Sequence, residues 1–243
     1  MSAHLRERAA ALGPLGWTGR DADWLALVCL HSGVFLRRQY LAFIGRENPA
    51  LANRFVERCG AAAVEEPWRG SRLRVCRISS RALYRALGAE HVRHRRAAAP
   101  SVVLRRLLSL DYVLDHRGLA WLPTEHEKVA ALTGAGVPPG VLPRRVYRGA
   151  VGESRRHFVH KLPVALDAGR ATFVFVQAED ATPSGVRTWG AAHRGIWEAL
   201  AGAGRAVDVV VVGRDPVRLA AAERVVEAWT RRSPAGDGAA ELA

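Results

Sequence analysis

Apolar residues in the first third of the chain fall into three successive helical rhythms and then into strand-like runs. Leu25, Leu27, Val28, Cys29 and Leu30 form a face broader than a surface helix needs, which predicts a buried helix. It starts near Thr18, which precedes Asp21 by three as a weakened capping box, and stops at Ser32-Gly33. The next piece, VFLRRQYLAFIG, turns Phe35, Leu36, Tyr40, Leu41, Phe43 and Ile44 inward and Arg37, Arg38 and Gln39 outward. After Arg46-Glu47-Asn48-Pro49 comes ALANRFVERCG, with Asn53 and Arg54 opposite Leu51, Phe55 and Val56. Two strand-like runs, AAAV and RLRVCRI, flank Glu65-Glu66-Pro67-Trp68-Arg69-Gly70. Helix, helix, helix, hairpin is the order of a winged helix-turn-helix, whose third helix enters the major groove. A small helical subdomain without a nucleic-acid role has the same order, so the pattern alone leaves both open.

The pattern continues with a change of rhythm. Residues 1–20 read as an N-terminal arm, a short amphipathic helix or loose segment broken at Gly13-Pro14, and residues 21–90 as the winged domain. The latter closes with RALYRALG, capped by Ser79 or Ser80 and ended by Gly88. HVRHRRAAAP, residues 91–100, reads as a basic linker. From Ser101 to His116 a strongly amphipathic helix leads an α/β domain spanning 101–232 and suits either dimerisation or packing on that domain. Thr124 and Glu127 form a capping box. RHFVHKLPVAL and ATFVFVQAE are strand runs joined at Asp167-Ala168-Gly169. A helix from about Ser184 to Ala203, the continuous apolar strand VDVVVVG, and a helix opened by Asp215-Pro216 complete an α+β chain. The tail, 233–243, reads as disordered.

Charge shifts the balance toward DNA. The 243 residues carry a formal net charge of +13, with Lys128 and Lys161 as the lysines and arginine supplying the rest. Residues 1–110 hold 19 Lys+Arg against 8 Asp+Glu, and residues 111–243 hold 17 against 15. The excess sits on the winged half, where a protein that displaces phosphate counterions needs it. The expected DNA-binding residues are Arg37, Arg38, Gln39, Arg46, Asn53, Arg54 and Arg58, with Trp68, Arg69 and Arg72 at the wing tip. Arg and Asn make bidentate contacts to guanine and adenine edges, and a wing grips phosphate or a minor groove. For Arg54 and Arg58, pairing with Glu57 or Glu47 is the competing role, and Trp68 equally suits the core.

Cys29, Cys59 and Cys76 lie at apolar positions without metal-ligand spacing, so buried free thiols in a reducing cytoplasm are expected. The N-terminus has no long apolar core, and the longest apolar runs are too short to span a bilayer. A cytoplasmic protein with neither signal peptide nor membrane partner follows. No Walker-type glycine loop is present.

The segments LALVCLHSGVFLRRQYLAFIG, FVFVQAEDATPSGVRTWGAAHRGIWEAL and VDVVVVGRDPVRLAAAERVV together resemble the replication-relaxation family. The resembling pieces cover about two-thirds of the chain, at the level of pattern rather than of diagnostic strings. The resemblance implies a winged-helix protein of plasmids or mobile elements, acting in replication, transfer or their transcriptional control. It also implies a C-terminal domain resembling a degenerate restriction-nuclease fold. An active site of that type needs an acidic residue, then an acidic-x-Lys pair, to hold a divalent metal and orient water. Here Asp167 precedes the strand, Gln177 stands where an acid is needed and Glu179 where the lysine is needed. His157, His160 and His193 have no nucleophile placed beside them. The expectation is therefore a non-enzymatic, sequence-specific binder of double-stranded DNA, homodimeric, needing no cofactor. A Mg-dependent nuclease centred on Asp167, Gln177 and Glu179 is the first alternative. A protein-interaction module that binds its partner through the α/β domain, with the winged domain pairing subunits, is the second.

Overall fold

The computed structural model describes residues 3–68, 71–149, 152–158, 162–177 and 183–230. Two helices open the chain, α1 (Ala3–Ala10) and α2 (Gly19–His31). Every residue from Trp24 to Leu30 is buried, as the unbroken apolar face predicts, and the first core is built around them. Leu5, Ala9, Leu12 and Trp17 join that core, so residues 3–17 are part of the packed body rather than a loose arm. Thr18 occupies the N-cap of α2 without a side-chain bond. Asp21 instead accepts from the Tyr40 hydroxyl at 2.8 Å and from Arg58 at 2.8 Å.

Next come β1 (Val34–Phe35), α3 (Arg37–Ile44), α4 (Pro49–Cys59), β2 (Ala63–Pro67) and β3 (Arg74–Ile78). The three strands form an antiparallel sheet in the order β1-β3-β2. Glu65, Glu66 and Pro67, expected in the turn, extend β2, because the carboxylates pair with Arg37, Arg74 and Arg77 and Pro67 ends an edge strand. Trp24 meets Phe35 and Tyr40 edge-on, and Phe55 packs in turn on Phe35 and stacks on Tyr40. α5 (Arg81–Ala86) follows, its Ser80 cap accepting from Leu83 N.

Within residues 91–100, expected as a linker, the stretch 92–95 packs on the first core while Arg96, Ala97, Ala99 and Pro100 are exposed. Val92 and His94 are buried, and His94 Nδ1 lies 3.2 Å from the Cys29 carbonyl at the end of α2. Arg106 donates to the His94 carbonyl at 3.2 Å. Pro100 begins α6 (Pro100–Asp115) at its first turn, where a missing N–H costs nothing. α6 is the spine of the molecule. Its Leu110, Val113 and Leu114 belong to the α2 core, Val103 and Leu107 pack with Val34, Leu36 and Val75, and Leu108 and Tyr112 pack on the second core. That three-way burial explains its wide apolar face by packing within the chain.

α7 (Glu125–Gly134) carries the expected Thr124–Glu127 capping box. Then come β4 (Arg144–Gly149), β5 (Gly152–His157), β6 (Val164–Leu166), β7 (Arg170–Val176), α8 (Pro183–Gly202), β8 (Ala206–Val212) and α9 (Pro216–Thr230). β4 and β5 pair only with each other, while β6-β7-β8 form a sheet antiparallel at β6–β7 and parallel at β7–β8. The run read as a single strand from Arg156 is broken at Phe158. That residue is buried with φ +49, so the chain leaves β5 there and enters β6 at Val164. Phe173 and Phe175 of β7 face Trp197 and Trp189 of α8, and α6 lies against β7 and β8. No helix among the described residues is long and apolar enough to cross a membrane. Residues 233–243, read as a disordered tail, lie outside the described residues.

Candidate nucleic-acid interface

α4 is held at its start by Asn48, whose side chain accepts from Ala50 N at 3.0 Å, and by Pro49 in the first turn. Ala52, Phe55, Val56 and Cys59 bury one face. The opposite face shows Asn53, Arg54 and Glu57 at i, i+1 and i+4, all exposed. Asn53 and Arg54 have no hydrogen bond or ion pair among the described residues. Arg46, in the turn before α4, is exposed and donates only to its neighbour's carbonyl, Gly45 O, at 3.4 Å. The β2–β3 hairpin closes through Trp68 N to Leu73 O at 2.8 Å and leaves Arg72 exposed. Arg69 lies outside the described residues.

The other expected readers are engaged elsewhere. Arg37 meets Glu65 at 2.5 Å and so ties the start of α3 to β2. The bond holds the Glu65 carboxyl below its ordinary range and raises the guanidinium. Gln39, expected to point away from the core, is 1 % exposed. Its carbonyl accepts from Leu36 N at 2.8 Å, and its amide donates to Leu107 O at 3.0 Å and Asp111 at 2.8 Å. A glutamine at the third position of a helix turns back to cap it, and α6 covers what remains. Arg38 is exposed but meets Asp111 at 3.0 Å. Arg58 spans Asp21 at 2.8 Å and Gly16 O at 2.7 Å and stacks over Trp17 at 4.4 Å, locking α4 to the entrance of α2. Neither Glu57 nor Glu47 takes that role. Trp68 folds onto the cluster of Val34, Leu36, Val75, Val103 and Leu107.

Of the residues of the nuclease alternative, Asp167 and Gln177 stand at opposite ends of β7. Asp167 accepts from Gly169 N at 3.0 Å and Arg170 N at 2.8 Å, the structural duty of a turn aspartate. Gln177 follows the far end of β7, so the strand, about 20 Å long at 3.3 Å per residue, stands between the two. Glu179 lies outside the described residues, as does His160. Among the described residues no group of three His, Cys, Asp or Glu side chains is placed to hold a metal ion. His193 is buried with Nδ1 2.8 Å from the Trp189 carbonyl, and His157 sits at the root of β5. The cysteines are free and buried, and burial pushes the Cys59 and Cys76 thiols up to about 12, far from a reactive thiolate.

A second basic surface was missed by the sequence reading. β4 and β5 place Arg144, Arg145, Arg148, Arg155 and Arg156 on one two-stranded ribbon. The signal was present in the repeated arginine pairs, but the ribbon has no buried face and so no apolar alternation to reveal it. No family model, curated protein or solved structure matches the chain.

Proposed function

We propose that this chain is a non-enzymatic, sequence-specific binder of double-stranded DNA, and that α2–β1–α3–α4–β2–β3 is a winged helix-turn-helix. The observation that carries the reading is the outward face of α4, where Asn53 and Arg54 stand exposed and unpaired on a helix whose other face is fully packed. The sheet order β1-β3-β2 and the charge excess of residues 1–110 support it. Arg46 and Arg72 flank that face in sequence, and both are free to meet phosphate. Glu57 sharpens the assignment. A carboxylate facing phosphate is repelled, whereas facing a cytosine it accepts from the N4 amino group, so the Asn53–Arg54–Glu57 face suits base edges better than backbone. The biological setting we infer is a plasmid or mobile element, in replication, transfer or their control. The chain would act in the cytoplasm as a homodimer on a repeated site. The resemblance to the replication-relaxation family is the support for that setting, and the restriction-type likeness of β6-β7-α8-β8-α9 is part of the same reading.

Selection of bound duplexes from a random pool, followed by anisotropy on the winner and on single-base variants, tests the reading. Arg54→Ala should cost about 1–3 kcal/mol and relax discrimination at one base position. Equal weakening on every sequence would reassign Arg54 to phosphate. Absence of duplex binding by the wild-type chain at 50 mM salt would end the proposal.

A further inference from the structure

The β4–β5 ribbon contributes almost nothing to either core, yet it is built with care at its root. Every residue of β4 is exposed, as is β5 from Gly152 to Arg155. At the root, Glu125 at the start of α7 accepts from His157 N at 2.7 Å and lies 3.5 Å from Arg156. Phe158 N donates to Pro143 O at 2.9 Å, and the flanking Leu142 and Phe158 are buried. The ribbon is thus aimed by its base while both faces and both edges stand in solvent. A lone two-stranded hairpin is marginally stable in water, and open strand edges invite wrong pairing. Such an element needs a partner, and its side chains say which.

The register puts Arg144, Val146 and Arg148 opposite His157, Arg155 and Glu153 on one face, and Arg145 and Tyr147 opposite Arg156 and Ser154 on the other. The ribbon holds five arginines and one carboxylate of its own, Glu153, which lies 3.2 Å from Arg155 and 3.7 Å from Arg148. Arg148 has 87 % of its side chain exposed, Arg155 64 %, and Tyr147 is 41 % exposed with Arg145 5.6 Å over its ring. Six paired residues make a blade about 20 Å long, with strands about 4.8 Å apart, and the major groove, about 12 Å wide, admits a two-stranded ribbon. A second copy of this chain fits poorly, since two ribbons side by side set ten arginines against two glutamates.

We propose that the β4–β5 ribbon is a second nucleic-acid contact, a basic blade that tracks the phosphates of the duplex read by α4. The inference rests on the duplex-binding reading above and extends it to a part of the chain outside the winged region. Its arginines are charge contacts first. Arg144, Arg148 and Arg155, on one face, lie along the backbone, and Tyr147 on the other offers a ring for stacking or sugar contact.

The test compares the full-length wild type with the triple variant Arg144→Gln, Arg148→Gln, Arg155→Gln, with its all-lysine counterpart, and with Arg54→Ala. Each is titrated against one 40-base-pair duplex across a salt series. All three ribbon side chains are exposed, and a thermal melt of each protein confirms that the fold is kept. The glutamine triple should flatten the slope of log affinity on log salt by about 2 to 3, at about 0.9 per lost phosphate contact, and the lysine triple should restore it. An unchanged slope in the glutamine triple, beside weakened binding by Arg54→Ala, overturns the ribbon proposal and leaves the α4 reading intact. Failure of the wild type to bind duplex overturns both. A ribbon variant that keeps its DNA slope but loses dimer mass in light scattering, or loses capture by acidic phospholipid vesicles, assigns the blade to those partners and refutes the nucleic-acid contact.

Discussion

Gly33 is where the α2 core, the β1-β3-β2 sheet and the 93–95 turn meet, and replacing it with alanine should be costly for a reason specific to that meeting. The residue has φ +73, its carbonyl accepts from Ile78 N at 3.0 Å, and its N–H donates to Val28 O at 2.6 Å. A Cβ built there would lie 2.5 Å from both the Cβ and the carbonyl oxygen of His94, and 2.7 Å from its carbonyl carbon. Those are mostly backbone atoms, themselves held by His94 to Cys29 and by Arg106 to His94, so no side chain can swing away. Left-handed backbone costs alanine roughly 1–2 kcal/mol. Forced overpacking adds typically about 1–3 kcal/mol. Restricting the unfolded chain returns about 0.4–1 kcal/mol. Gly33→Ala should therefore lose about 2–4 kcal/mol. Gly45→Ala is the matched control, because φ is +62 there and a Cβ would meet nothing within 4 Å, so it carries the strain without the overlap. Urea unfolding followed by circular dichroism and tryptophan fluorescence gives both values. If Gly33→Ala costs no more than Gly45→Ala, the 93–95 turn is not pressed against the end of α2, and the packed reading of residues 92–95 fails.

Two further outcomes separate structural side chains from reading ones. Arg58→Ala removes an exposed ion pair, a carbonyl bond and a stack on Trp17, so it should lower stability by about 1–2 kcal/mol and leave the salt slope of DNA binding within half a unit of wild type. A slope change near 0.9 instead would return Arg58 to the phosphate contacts. His31 concerns pH. Burial, then the Lys128 charge, pushes its imidazole down to about 3 from 6.5, with Glu127 opposing and Arg8 adding to the fall. Below pH 6.5 the unfolded chain takes up a proton that the folded chain refuses, so stability is lost progressively as pH falls toward 3. His31→Gln should remove up to about 2 kcal/mol of the loss between pH 7 and pH 5, read from urea midpoints; parallel curves for the two proteins would refute the account.

The long apolar elements were legible because burial leaves a periodic trace. α2 is apolar without a break from Trp24 to Leu30, β8 is a continuous run, and α8 and α9 start within a residue or two of where they were predicted. Where polar groups are satisfied locally, the trace inverts. Gln39 looks outward by composition, yet it caps α3 and bonds α6 from a buried position. His94 lies in the most basic short segment of the chain and is 4 % exposed, because a backbone carbonyl of α2 receives its ring nitrogen. β1, two residues long, is too short to carry a period, and it exists because β3 pairs with it. The β4–β5 ribbon has no buried face, so no hydrophobic pattern could have announced it. Single-sequence periodicity reports what a chain buries, and an element that buries nothing is silent to it.

The same limitation applies to charge. A net balance of +11 over residues 1–110 counts every arginine alike, but the structure divides them. Arg8 binds Glu127 and the Leu87 carbonyl, Arg37 binds Glu65, Arg58 binds Asp21, Arg77 binds Glu66 and the Arg95 carbonyl, and Arg81 and Arg85 share Glu90. Such cations hold elements together and cannot displace counterions from a phosphate without breaking their own contacts. Of the expected readers in that half, Arg46, Arg54 and Arg72 stay open around α4 and the wing, and Arg20, Arg93 and Arg96 are exposed elsewhere. In residues 111–243 the balance is only +2, yet the ribbon carries five arginines: Arg148 and Arg155 share the single Glu153 and stay largely exposed, Arg156 lies by Glu125, and Arg144 and Arg145 meet no carboxylate among the described residues. Open guanidinium groups, rather than formal charge, decide where a polyanion can bind. By that measure the ribbon is a cationic surface separate from the α4 face. It stands on the half that looked nearly neutral, which is why the salt slopes of the ribbon variants and of Arg54→Ala have to be measured on the same duplex.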